Sequence, residues 1–339
     1  MIPTALRGVP QEVSTGVLPG WDRVEQLVQE AHDRYRDDDS GTVADYIPVL
    51  GAADPTLFGL AVVDAAGGVH DAGDALHLFS IQSISKMFVY ALAIQAHGHE
   101  RVRDIVGVNN TGLAFNSVMA LELNGGHPMN PMVNAGAIAT TALMPGETPA
   151  EKWECIREGL SAFAGRSLIM DGEVYRSEMQ TNERNQALGR LLSSYERLEG
   201  DSDAIVDVYT RQCALNVTAH DLAVMGATLA DGGVNPVTGE RVVSAEVCRD
   251  TLAVVAASGL YERSGEWLFE IGIPAKSGVA GGIVAVSPGK GAAGAFSPRL
   301  DSAGNSVRSQ LAIGYLSRAL GLNLFASAPR VAVTAEGRS

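Results

Sequence analysis

The chain has 339 residues, 46% of them hydrophobic, and a formal net charge of −14, enough to bury a substantial core in one large domain or two closely packed ones. Only four of its 25 basic residues are lysines, and the arginines are scattered, which excludes the clustered cationic surface that nucleic-acid phosphates need. Apolar runs fall far short of a bilayer span, the start Met1-Ile-Pro-Thr-Ala-Leu lacks an apolar signal core, and Cys155, Cys213 and Cys248 have no paired spacing, so a reduced, cytoplasmic protein is expected.

In chain order, Val24, Leu27, Val28, Ala31 and Tyr35 follow the i, i+3, i+4, i+7 spacing of an amphipathic helix, which the acidic run from Asp37 ends. Leu57 to Val63 and Val69 to Ala72 read as two strands joined through Asp64-Ala-Ala-Gly-Gly68. A buried helix then carries Ser83 and Lys86 and stops near Gly98. From about residue 100 to 255 the pattern is mainly helical, with helices expected over 149–165, 177–198, 204–213, 218–229 and 244–256. Strands are expected over Trp267 to Ile273 and Gly281 to Ser287, then a helix over Val307 to Leu320. The fold class is therefore α/β: an antiparallel sheet built from both ends of the chain (about 20–98 and 260–325), flanked by helices, with a mainly helical region at 99–259. Residues 1–325 form the expected catalytic unit and 326–339 a tail.

Ser83 and Lys86 place a hydroxyl and an amine three residues apart among Ile84, Met87, Phe88 and Leu92. Burial disfavours an ammonium, so a lysine there can act as a base for the serine. At a helix start, free N–H groups and the positive dipole end also favour a developing oxyanion. Ser287-Pro-Gly-Lys290 repeats the spacing, but Pro288-Gly289 makes a turn rather than a helical face. Lys276-Ser277-Gly278 is a second element, of the kind that accompanies SxxK in serine β-lactamases and penicillin-binding proteins. A third group is rich in amides: Asn130 to Asn134, and Glu178 with Asn182 and Asn185. Converging side chains of these types can bind an amino-acid zwitterion without a cofactor. Gly289-Lys-Gly-Ala-Ala-Gly294 fits GxGxxG, but Phe296-Ser-Pro298 follows where a dinucleotide fold needs a helix. His97 and His99 lack a third ligand, so no metal site is expected.

Phe79-Ser-Ile-Gln-Ser-Ile-Ser-Lys86, Phe115-Asn-Ser117, Asn130-Pro-Met-Val-Asn-Ala-Gly-Ala-Ile138, Glu178 with Thr181-Asn-Glu-Arg-Asn185, Tyr209 with Gln212-Cys213, Gly259-Leu-Tyr261 with Ser264-Gly-Glu266, Pro274-Ala-Lys-Ser-Gly278 and Phe296-Ser-Pro-Arg-Leu-Asp301 occur collinearly. Together they resemble the serine-dependent glutaminase family over about residues 20–325. The resemblance implies a β-lactamase/DD-peptidase-like fold of the compact bacterial type, and hydrolysis of L-glutamine to L-glutamate and ammonia without a cofactor. It implies Ser83 as nucleophile, Lys86 as general base, Tyr261 as an aid to protonating the departing ammonia, and the N–H groups of Ser83 and Val279 as oxyanion hole. It further implies Glu178 on the substrate α-ammonium, with Tyr46, Gln82, Asn134, Asn185 and Tyr209 around the rest of the amino acid, and a homodimer or homotetramer. Ala280 departs from the glycine usual in the family.

Two alternatives stand beside this reading. A β-lactamase-like or peptidase-like acyl hydrolase would form a stoichiometric adduct with a penicillin. A non-catalytic sensor of amino acids would bind glutamine without releasing ammonia.

Overall fold

The computed structural model describes residues 16–45 and 47–328, so Tyr46 and the tail from residue 329 lie outside the described residues. Five strands form one antiparallel sheet in the order β2-β1-β7-β6-β5, with β1 Gly59–Asp64, β2 Val69–Gly73, β5 Ala275–Ser277, β6 Gly282–Ser287 and β7 Gly291–Phe296. The two ends of the chain thus share a sheet, as the sequence predicts. A separate pair joins β3 Phe79–Ser80 to β4 Asn216–Val217.

Alternation along β1 assigns its residues to two cores. Leu60 and Val62 join a core with the helices Trp21–Tyr35 and Val307–Ala319, whereas Ala61 and Val63 join a larger core with the helices Ser85–His97 and Ala219–Ala230. The larger core also takes in the helices Asn134–Ala142, Pro149–Ala164, Glu183–Ser194, Ser202–Cys213 and Ala245–Ser258. A capping box at Thr148 and Glu151 starts Pro149–Ala164, and another at Thr218 and Asp221 starts Ala219–Ala230.

Two expectations need correction, and one strand lies where none is expected. First, the helix predicted over 177–198 is two helices, Gly172–Met179 and Glu183–Ser194. Thr181 Oγ1 bonds back to the carbonyls of Ser177 and Glu178, and Asn182 leaves the helical conformation. Second, Trp267 to Ile273 is not a strand, because Ser264–Glu270 is helical. Trp267 and Ile271 are buried at helical spacing while Phe269 is exposed, and the indole N–H donates to the Ile273 carbonyl at 2.7 Å. The strand of this region is β5, just beyond it.

The strand not expected is β7, which its Gly-Ala composition conceals. It lies between β1 and β6, and the Ala219–Ala230 helix packs directly on it. A Cβ on Gly294 would stand 2.1 Å from the Ala219 carbonyl oxygen, and one on Gly226 would stand 2.6 Å from the Ala292 Cβ. Within the GxGxxG run, Gly294 answers the helix, Gly291 lies against the Val63 carbonyl of β1 and Gly289 (φ +76°) takes the turn before β7, so the run belongs to a strand and its turn rather than to a phosphate loop.

Candidate active site

Ser83 sits in a 3₁₀ turn, Gln82–Ile84, that leads into the Ser85–His97 helix. Gln82 adopts a φ of +51° and Tyr261 a φ of +55°, unusual for non-glycine residues. Such conformations persist only where the surroundings hold them, and they gather at functional sites. Gly278 brings the end of β5 against this turn, since a Cβ there would lie 3.0 Å from the Ile81 carbonyl and 3.2 Å from the Gln82 Cβ. In the tight turn that follows, the left-handed position falls on Gly281 (φ +108°), so Ala280 is accommodated without strain. Among the described residues, neither the Ser83 nor the Val279 N–H donates to a protein acceptor.

Lys86 is fully buried one turn on, and its Nζ donates to Asn134 Oδ1 at 2.6 Å and to the Met132 carbonyl at 3.1 Å. The amine stands 5.8 Å from the Phe115 ring centre and 6.0 Å from that of Tyr209. Burial lowers its pKa from 10.5 to about 8, opposed by the neighbouring Cys213. An appreciable neutral fraction therefore exists near neutral pH. Asn130 builds the acceptor loop: its Oδ1 receives the Met132 and Val133 N–H groups, and its Nδ2 donates to the Asn109 carbonyl. Gly136 is required beside it, because a Cβ would meet the Asn130 carbonyl oxygen at 1.9 Å.

A cavity of about 290 Å³ opens over these groups, lined by Gln82, Ser83, Asn134, Glu178, Asn185, Tyr209 and Val279. The break between the two helices at 180–182 brings Glu178, in the last turn of one, and Asn185, in the first turn of the next, to the same cavity. Asn134 Nδ2 donates to Asn185 Oδ1 at 2.8 Å, which links Lys86 to Asn185 through one amide. Gln82 Nε2 donates to Glu178 Oε1 at 2.5 Å and to Ser80 Oγ at 3.0 Å. Burial still raises the Glu178 carboxyl to about 7, against that hydrogen bond. A partly buried carboxylate facing a polar cavity is suited to a cation. Tyr261 is buried, and its hydroxyl donates to the Ser277 carbonyl at 3.2 Å. Burial drives its phenol to about 12, with hydrogen bonds to Ser83 and Ser277 pulling the other way.

The structure thus brings together the predicted residues it describes: Ser83, Lys86, Gln82, Asn134, Glu178, Asn185, Tyr209, Tyr261 and Val279. Functional groups left without a role by sequence reasoning are the Met132 carbonyl, which no side-chain pattern reveals, and Phe115, Cys213 and Arg184. Phe115 lies against Tyr261 with ring centres 4.7 Å apart, and Arg184 reaches Asn116 at 3.2 Å where both line the cavity. Among the described residues no group of three or more His, Cys, Asp or Glu could hold a metal, and no helix is long and apolar enough to cross a membrane.

A family model described as glutaminase matches residues 41–325. The chain is 53% identical over 322 residues to "Glutaminase 2" of Yersinia pestis, covering 95% of each. It is 49% identical to a glutaminase of Colwellia psychrerythraea over 89% of this chain and 97% of that one. Among solved structures it is similar to a probable glutaminase, ybaS (TM-score 0.90, 43% identity, 91% of this chain and 100% of that one). It also resembles a probable glutaminase from Bacillus subtilis complexed with 6-diazo-5-oxo-L-norleucine (TM-score 0.81, 31% identity, 89% and 96%).

Proposed function

The chain belongs to the glutaminase family and hydrolyses L-glutamine to L-glutamate and ammonia; we propose that it does so through an ester formed on Ser83. Lys86 Nζ, neutral in the reactive fraction, takes the Ser83 proton as Oγ attacks the side-chain amide carbon of glutamine. The negative charge that builds on the amide oxygen meets the two N–H groups of Ser83 and Val279. Tyr261 relays the proton held by Lys86 to the nitrogen, giving its own proton and regaining that of Lys86; the C–N bond breaks, and ammonia leaves a γ-glutamyl ester and a neutral Lys86. Water, deprotonated by Lys86, then hydrolyses that ester and restores Ser83.

Substrate recognition follows from the charges of the cavity. Glu178 pairs with the α-ammonium, and Asn134, Asn185, Tyr209 and Gln82 hold the α-carboxylate and the rest of the amino acid; Tyr46 completes this set. The observation that carries the reading is the buried Lys86 amine one helical turn from Ser83, tied through Asn134 to Asn185, with Ser83, Asn134, Asn185 and the Glu178 carboxyl lining one cavity. We further propose that residues 1–325 act as one catalytic unit, that the protein is a cytoplasmic homodimer or homotetramer, and that no cofactor takes part. Incubation with 6-diazo-5-oxo-L-norleucine tests the site: one adduct per chain on the Ser83 peptide, blocked by glutamine, is expected. Labelling elsewhere, or equal labelling of Ser83→Ala, would remove Ser83 from the role.

A further inference from the structure

Lys276 has no place in the steps above, yet it is one of the largest side chains with no exposure at all. An amine buried so completely is costly unless its N–H groups are used. Its Nζ donates to the Ser277 carbonyl at 2.7 Å, the same oxygen that accepts the Tyr261 hydroxyl at 3.2 Å. It also lies 4.4 Å from the centre of the Tyr261 ring. Lys276 does not line the substrate cavity. Its contacts are with the Ser277 carbonyl and the Tyr261 ring, and these are the groups through which it can act on the reaction.

Tyr261 needs such support. Its backbone is left-handed, a conformation that lapses unless tertiary contacts over-determine it. Phe115 touches its ring, and the preceding turn is pinned to β5 by the Ser277 N–H to the Gly259 carbonyl and by Gly259 itself, where a Cβ would stand 1.9 Å from the Ala275 carbonyl oxygen. Neither contact fixes the direction of the phenol hydroxyl. The shared Ser277 carbonyl does, and Lys276 holds that carbonyl.

We propose that Lys276 is a positioning residue for the hydrolysis: by holding the Ser277 carbonyl and packing its amine on the Tyr261 ring, it fixes where the Tyr261 oxygen stands for its proton transfer to the departing nitrogen. The proposal rests on the proton-passing role given to Tyr261. Burial and the nearby Lys86 hold the Lys276 pKa well below that of a free lysine. A side chain needed only to fill space would be replaced by methionine without cost to turnover.

The test is a double-mutant cycle on the full chain with glutamine as substrate, using Lys276→Met, Tyr261→Phe and both together, with folding checked by circular dichroism and thermal melting. Loss of Tyr261 is expected to lower kcat about 100-fold, the scale of one general acid–base contribution. Lys276→Met is expected to lower kcat about 10-fold with KM within about twofold, because it loosens the phenol without touching the substrate. In the Tyr261→Phe background it should cost nothing further, since residues that act as a unit are non-additive. Equal factors in both backgrounds, or a Lys276→Met enzyme with full kcat or only a raised KM, would overturn the proposal. A Tyr261→Phe enzyme with full kcat would instead remove the role of Tyr261 on which it rests. If Lys276→Met does not fold, Lys276→Gln is carried through the same cycle and judged by the same non-additivity.

Discussion

Replacing Glu178 by glutamine separates substrate binding from chemistry by pH. Burial raises this carboxyl from 4.5 to about 7, so in the free enzyme about a tenth is ionised at pH 6 and about nine-tenths at pH 8. The substrate ammonium binds the ionised form. KM for glutamine should therefore be about tenfold higher at pH 6 than at pH 8 in the parent protein. In Glu178→Gln, KM should be higher throughout and flat over that range, while the pH dependence of kcat persists because it belongs to another group. The substitution also has a stability consequence with a definite sign. A carboxyl whose folded pKa is raised binds more protons folded than unfolded between 4.5 and 7, so stability falls as pH rises through that window, by about 3 kcal/mol in all. Removing it should stabilise the ligand-free protein at pH 8 and leave it unchanged below pH 4. Initial rates of ammonia release from pH 5.5 to 9, with urea unfolding at the extremes, provide both readouts. A parent KM that is flat with pH, or an unchanged KM slope in Glu178→Gln, would refute the pairing of Glu178 with the ammonium.

Lys86 governs the other limb: with a pKa near 8, kcat should fall about tenfold per pH unit below 7.5, and a rate flat from pH 5 to 9 would contradict a lysine base. Because its folded pKa is lowered from 10.5, its burial costs about 3 kcal/mol below pH 8 and progressively less up to 10.5; Lys86→Met should remove that pH dependence of stability together with turnover. Gly294→Val should destabilise the fold by about 3 kcal/mol or prevent folding, as an overpacked core does, because the Ala219 backbone occupies the space its Cβ needs; a melting temperature equal to the parent's would show that the helix can move off β7.

Much of this was legible in the sequence where local chemistry and tertiary need agree. The helix Trp21–Tyr35 has its apolar stripe, the β1–β2 hairpin its turn, and the Ser83–Lys86 pair sits in an apolar run that has no other use for a lysine. The signal failed where a distant partner decides. β7 is strand only because β1 and β6 flank it, and its small residues answer the Ala219–Ala230 helix rather than any local preference. Trp267 to Ile273 has the composition of a strand, but the Ser264 hydroxyl, which receives the Leu260 N–H and donates to the Tyr261 carbonyl, secures the turn from which a helix begins. At the site, the side chains could be proposed one by one, whereas the Met132 carbonyl and the strained backbone at Gln82 and Tyr261 leave no trace in composition.

The central claim is that Ser83 carries the glutamyl group, and it is tested most directly by rapid acid quench of the enzyme during glutamine turnover, with mass analysis of the peptide spanning residues 79–86. The account predicts a glutamyl ester on Ser83 that forms as the first ammonia is released, and neither ester nor ammonia from Ser83→Ala. Ammonia release by Ser83→Ala at the parent rate would contradict it.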